Sequence, residues 1–113
     1  MARPRTPRSA HEAVVTAHPA EAAVTVVVAT RPSTHMGSGD RWRLARMVSG
    51  AERRLARVLP RSSTRSRTVQ RLWRLADEAS RGRTGVGLAL VASAVDGHRF
   101  DIRHPVTDRV LVG

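Results

Sequence analysis

The chain has no cysteine, no lysine and no tyrosine, and its aromatic residues are one phenylalanine and two tryptophans among 113 positions. Without cysteine there is no disulfide frame, no thiolate nucleophile and no metal site built on cysteine, which fits a reducing cytoplasm. With so few aromatics there is no series of stacking platforms, so sequence-specific reading of a single strand by stacking is not expected. Acidic residues are scarce too: nine stand against twenty basic ones, all of them arginine, for a formal charge of +11. Arginine without lysine is what GC-rich coding produces regardless of function, so the count alone names no partner. The positive field nevertheless attracts polyanions whatever its origin, because phosphate neutralisation and counterion release do not require lysine.

Long apolar runs are also missing. The stretch AAVTVVVA is too short for a secretory signal, and His18 and Glu21 fall where such a run would begin, so neither a signal peptide nor a membrane span is expected. The start MARPRTPRSAHE, with Arg3, Arg5 and Arg8 beside Pro4 and Pro7, has nothing apolar to pack. Residues 1–12 are expected to form a disordered basic tail, although an arginine-rich, acid-poor start is shared with organellar transit peptides. Residues 13–113 are long enough for a single domain with a modest core.

Within that domain HEAVVTAHP suggests a short helical turn ended by Pro19. Val24 to Thr30 is a nearly continuous β-branched run, the pattern of a strand covered on both faces in the middle of a sheet. RPSTHMGSG follows as a loop, and Asp40 stands at the expected N-cap of a helix. Leu44, Met47, Val48, Ala51, Leu55, Val58 and Leu59 then form one apolar stripe, which Pro60 terminates. The connector RSSTRSR offers Ser63 or Thr64 to cap a second helix with Val69, Leu72, Trp73, Ala76 and Ala79 inward and Gly82 as a left-handed C-cap. GVGLALVASAV reads as a buried strand, Asp96-Gly97 as a tight hairpin turn, HRFDIRH as a strand with Phe100 and Ile102 inward, and DRVLVG as a last strand. The fold class expected is α+β: a small mixed β-sheet with an antiparallel helix pair packed on it.

The segment Arg41 to Arg83 holds thirteen arginines against Glu52, Asp77 and Glu78. A solvated helix face would carry arginine stems along its flanks with their heads in water, but such faces usually mix signs, and here acidic partners at i,i+4 are few. The phosphate contacts are therefore assigned to Arg43, Arg46, Arg53, Arg54, Arg57, Arg65, Arg67, Arg71 and Arg74. Trp73 lies on the apolar stripe and is expected in the core, whereas Trp42, beside arginines in the first helical turn, fits either a wet face or a base. His98 and His104 are about 20 Å apart along an extended strand, too far to share a metal ion. His35 has no evident acid partner, and GRTGVG precedes a strand where a phosphate-cradling loop would open a helix. No constellation supports an enzyme, a cofactor, a metal or a small-molecule substrate.

VTVVVAT, DRWRLARMVSGAERRLARVL, VQRLWRLADEA and GVGLALVASAVDGHRFDIRHPVTDRVLVG, taken in order, resemble the N-terminal domain of bacterial relatives of archaeal and eukaryotic peptide-chain release factors. The most telling part is the strand Val86 to Val95, the turn Asp96-Gly97, the strand His98 to Arg103, the pair Pro105-Val106, and Arg109 to Gly113. The likeness covers Val24 to Gly113 and departs at Ala29, where relatives commonly carry proline. It implies a ribosome-associated domain that contacts ribosomal or transfer RNA and does not itself hydrolyse an ester, since the loop that reaches the peptidyl-transferase centre belongs to a middle domain beyond Gly113. Two other readings stand beside it: a protein-interaction or scaffolding module whose last strand, RVLVG, awaits a partner or a missing domain, and a truncated gene remnant with no function of its own.

Overall fold

The computed structural model describes residues 23–60 and 63–113; the expected basic tail, the helical turn before Pro19 and part of the connector at 61–62 lie outside them. The described chain is an α+β fold of two helices and one four-stranded sheet. β1 (Val24–Ala29) is followed by α1 (Ser38–Val58) and α2 (Ser63–Ser80), then by β2 (Gly87–Ala92), β3 (Gly97–Ile102) and β4 (Arg109–Val112). The strands lie in the order β3-β2-β1-β4.

The sheet is antiparallel throughout, not mixed. A single crossover helix would return the chain parallel to β1, but here two helices intervene, and the second adds one more reversal. Leu44 and Ala45, early in α1, accordingly lie beside Ala76 and Ser80, late in α2. β1 and β2 occupy the two central places, as their continuous apolar runs demand, and every residue of β2 is buried.

Alternation along the strands divides the core in two. Val24, Val26 and Val28 of β1 with Leu88, Leu90 and Ala92 of β2 face the helices, where they meet Leu44, Val48 and Ala51 of α1 and Leu72, Ala76 and Ala79 of α2. α1 lies over β1 and β4, α2 over β2 and β3. On the opposite face Val27, Ala89 and Ile102 form a smaller cluster with Phe100 and Val106. Val106 closes so tightly on Gly87 that a Cβ there would stand 2.8 Å from its Cγ2.

Several local expectations are corrected. α1 begins at Ser38 with Gly37 as N-cap and no side-chain cap; Asp40 sits inside the first turn, where its Oδ2 accepts from the Arg31 N–H at 2.9 Å. The preceding loop is zipped to the segment after α2, with Ser33 and Thr84 exchanging backbone bonds and Met36 N–H donating to Gly82 O. These bonds bring the chain round early and let the helix start sooner than the carboxylate predicts. Gly82 is not left-handed; the N–H groups of Arg81 and Gly82 donate three residues back, to Glu78 and Ala79, so α2 ends in a tightened turn.

The hairpin is there, but its turn is Ser93 to Asp96, since Ala92 pairs with Gly97. Ser93 Oγ accepts from the N–H groups of Val95 and Asp96 and so serves as the turn's internal cap. Gly97 is required for a different reason: it is the first residue of β3 and passes directly under α2, where a Cβ would stand 2.8 Å from Arg71 Cδ and 2.9 Å from its Cγ. Trp73 is not in the core but 36% exposed at the helix–helix seam, where its Nε1 donates to Glu52 Oε1 at 3.0 Å. Thr68 takes a core position instead, its hydroxyl satisfied by Thr64 O. Val58, expected on the stripe, is more than half exposed. No helix among the described residues is long and apolar enough to cross a membrane.

Candidate nucleic-acid interface

With Leu44, Val48 and Ala51 turned to the sheet and Leu55 buried in line with them, the helical period places positions 43, 46, 47, 50, 53, 54 and 57 on the flank of α1 that looks toward β4. An open trough of about 590 Å³ runs there, lined by Arg43, Arg46, Arg53, Arg54 and Arg57 with Met47, Gly50, Asp108 and Val110. A second depression, about 750 Å³, shares Arg43 and Arg46 with the first and continues past Trp42 to Arg31, Ser38 and Gly39. Together they make one elongated cationic track from the C-terminal turn of α1 to its N-terminus.

The five arginines do different things. Arg43 is committed internally: its Nη2 donates to Asp40 Oδ1 at 2.8 Å and to Ala29 O, and its Nε lies 3.4 Å from Asp108 Oδ2. Asp108 Oδ1 in turn accepts from the Ala29 N–H at 2.7 Å, so this cluster ties the end of β1 to α1 and to the segment entering β4. Arg54 donates through Nη1 to Val110 O at 2.5 Å. Ala23 and Gly113 exchange both backbone bonds, and counting along the register from that pair puts the backbone groups of Val110 and Val112 on the outer edge of β4. Arg54 thus covers an edge acceptor while remaining exposed. Arg46 lies with Cζ 4.8 Å from the centroid of the Trp42 ring, a cation–π contact, and Trp42 is 64% exposed. Among the described residues no carboxylate comes within ion-pair distance of Arg46, Arg53, Arg54 or Arg57.

The four arginines of α2 do not join this track. Trp73, Asp77 and Ser80 face α1, so Arg67, Arg71 and Arg74 fall on sides of α2 turned from it. Arg71 lays its stem over Gly97, and its Nη2 reaches Ala94 O at 3.3 Å, anchoring the β2–β3 hairpin. Arg67 and Arg74 are exposed, and Arg65, in the first turn of α2, is partly buried. The nine residues chosen from the sequence therefore divide into five along one trough and four elsewhere.

The sequence reading missed Arg31, which lines the far end of the track, and the role of Asp108, which is set by pairing across the sheet and leaves no local signal. The i,i+4 spacing of Trp42 and Arg46 was a usable signal for their contact. His98 lies at the start of β3 with its Nε2 2.8 Å from Asp96 Oδ2, whereas His104, expected at the strand's other end, stands two residues beyond it, because β3 stops at Ile102. Among the described residues no three of His, Asp or Glu gather closely enough to hold a metal ion. No family model matches the chain, and no curated protein does.

Proposed function

We propose that this chain is a non-catalytic RNA-binding module that works in association with the ribosome and holds phosphates along the α1 trough. The observation that carries the reading is the gathering of Arg46, Arg53, Arg54 and Arg57 on one open track where, among the described residues, no carboxylate comes within ion-pair distance of any of them. Coding bias accounts for arginine in place of lysine, but it does not choose one flank of a helix. Like charges at i,i+3 and i,i+4, such as Arg54 with Arg57 and Arg53 with Arg57, cost an isolated helix a few tenths of a kcal/mol each. A polyanion turns that cost into binding energy. The ribosomal setting, with ribosomal or transfer RNA as the ligand and the cytoplasm as the compartment, rests on the sequence resemblance over Val24 to Gly113.

The alternative of a protein partner added to the β4 edge is less favoured. Arg54 already occupies the Val110 carbonyl, and charged side chains on an edge strand discourage strand addition.

The test is RNA affinity against salt. Four phosphate contacts should give log Kd a dependence on log salt of about 3 for a single strand, at roughly 0.7 per contact, and the protein should pellet with ribosomes at low salt. A flat dependence would remove the reading.

A further inference from the structure

We infer that the RNA taken by this track is single-stranded, and that an unpaired base stacks on Trp42 while Arg53, Arg54 and Arg57 hold the phosphates that follow. The inference rests on the RNA-binding reading above and adds the form of the ligand to it.

Trp42 is the most exposed of the large apolar side chains described. It contributes nothing to the core, since the stripe that packs is Leu44, Val48, Ala51 and Leu55. An indole in water is normally a loss, yet here it is held in place by the Arg46 guanidinium over its ring, 4.8 Å from the centroid. That contact covers one face of the ring and pre-orders it, leaving the remaining surface to the solvent. Base–aromatic stacking requires such an open ring and an unpaired base, because in a duplex the base faces are already stacked on one another.

Position along the helix completes the case. Trp42, Arg46, Arg53 and Arg57 recur at intervals of four, seven and four residues, which keeps them on one outer stripe. At 1.5 Å per residue the stripe is roughly 23 Å long. Gly50, midway, presents no side chain, and an added Cβ there would meet only Arg53 Nη2 at 3.8 Å, so the track stays shallow where a backbone must pass. A long, open and shallow track with cations in a row and one platform at its end matches an extended strand. One platform gives affinity for an unpaired base without reading its identity, which agrees with the shortage of aromatics in the chain.

The experiment compares a mixed-sequence single-stranded RNA of about ten nucleotides with the same sequence as a blunt duplex. Affinity is read by anisotropy of a labelled RNA at matched salt, for the unmodified protein and for Trp42→Ala and Trp42→Phe. The single strand should bind the unmodified protein at least several-fold more tightly than the duplex. Trp42→Ala should weaken the single strand by about five- to a hundredfold, the span expected for one stacked base, leave the duplex unchanged, and be largely rescued by Trp42→Phe. An unchanged circular dichroism melt for Trp42→Ala is expected, since the side chain is outside the core. Equal affinity for both forms, together with an indifferent Trp42→Ala, would overturn this inference and leave the RNA-binding reading standing. Failure of both RNAs to bind would overturn both. Equal displacement of either RNA by an acidic polypeptide of matched charge would also overturn it, because then only charge is recognised.

Discussion

α1 and α2 are close to twins in composition and unlike in use. Each buries four residues, three of them packed against the same sheet, and each carries arginine on its remaining sides. In α1 five of the six arginines lie on the flank that borders the edge strand β4, where a trough forms between helix and edge, and only Arg41 turns toward α2. In α2 Arg71 is folded onto the hairpin, Arg67 and Arg74 are exposed, and Arg65 is partly buried in the first turn. The lesson is that the number of cations does not define a site. What gathers them does: α2 also borders an edge strand, β3, but there Arg71 is spent on the hairpin, whereas five arginines line one trough between α1 and β4.

The sharpest way to break this comparison is to reverse charge on each helix in turn. Arg46, Arg53 and Arg57 all changed to Glu should weaken RNA by about a hundredfold or more at physiological salt and lower the salt dependence by at least two contacts' worth. Arg67 and Arg74 changed to Glu should weaken it only a few-fold, through the general field. The measurement is affinity at several salt concentrations. Equal losses from the two helices would mean that the field of the whole molecule, and not the α1 trough, does the binding.

How much of this was legible beforehand follows the range of the interactions involved. The α+β class, the central place of β1 and β2 and the two amphipathic helices were readable because period and β-branched runs are local properties of the chain. The antiparallel return was not counted out, although two helices in succession already imply it. Asp40 was read as a cap from its position alone; the zipped loop of Ser33 and Thr84, which moves the helix start to Ser38, joins residues fifty-one apart and has no local trace. Asp96-Gly97 reads locally as a tight turn, whereas the turn is Ser93 to Asp96 and the need for glycine at 97 comes from α2 passing overhead. In the candidate site, residue type was legible and direction was not. Direction depends on which strand each helix covers, and that is a tertiary fact.

Arg71 offers the next test, as an arginine of α2 that is structural. Gly97→Ala should cost about 1–3 kcal/mol, because the new methyl group meets the middle of the Arg71 stem with Leu75 Cδ1 only 3.1 Å away. Combining it with Arg71→Ala should recover most of that loss, while combining it with Arg74→Ala should recover none. Chemical denaturation reads both. Absence of rescue would mean that Arg71 is not what fills the space over the hairpin.

A division inside α1 gives a smaller effect. Among the described residues Arg43 is the one arginine of the trough held by carboxylates, and it also donates to Ala29 O. Arg43→Met should therefore lower stability by about 1–2 kcal/mol, since the partly buried carbonyl and Asp40 lose a charged donor, with little change in the salt dependence of binding. Arg53→Met should do the opposite: unchanged stability and a salt dependence reduced by about one contact. If Arg43→Met also removed a contact's worth of salt dependence, the cluster with Asp40 and Asp108 would have to open when RNA binds.

The smallest effect lies at the seam between the helices. Trp73 Nε1 donates to Glu52 Oε1 across it at 3.0 Å, in an exposed position. A hydrogen bond to a charged group is worth about 1.5–3 kcal/mol when shielded, but water competes at this seam, so a double-mutant cycle with Trp73→Phe and Glu52→Gln should give a coupling of about 0.5 kcal/mol. A coupling near zero would leave the pair joined by apolar contact alone, and the position of α1 over β4 would then depend on the sheet rather than on α2. A coupling above about 1 kcal/mol would make α2 a structural support for the trough, so that destabilising either seam residue should also weaken RNA at high salt, where a loosened α1 has least charge attraction to compensate.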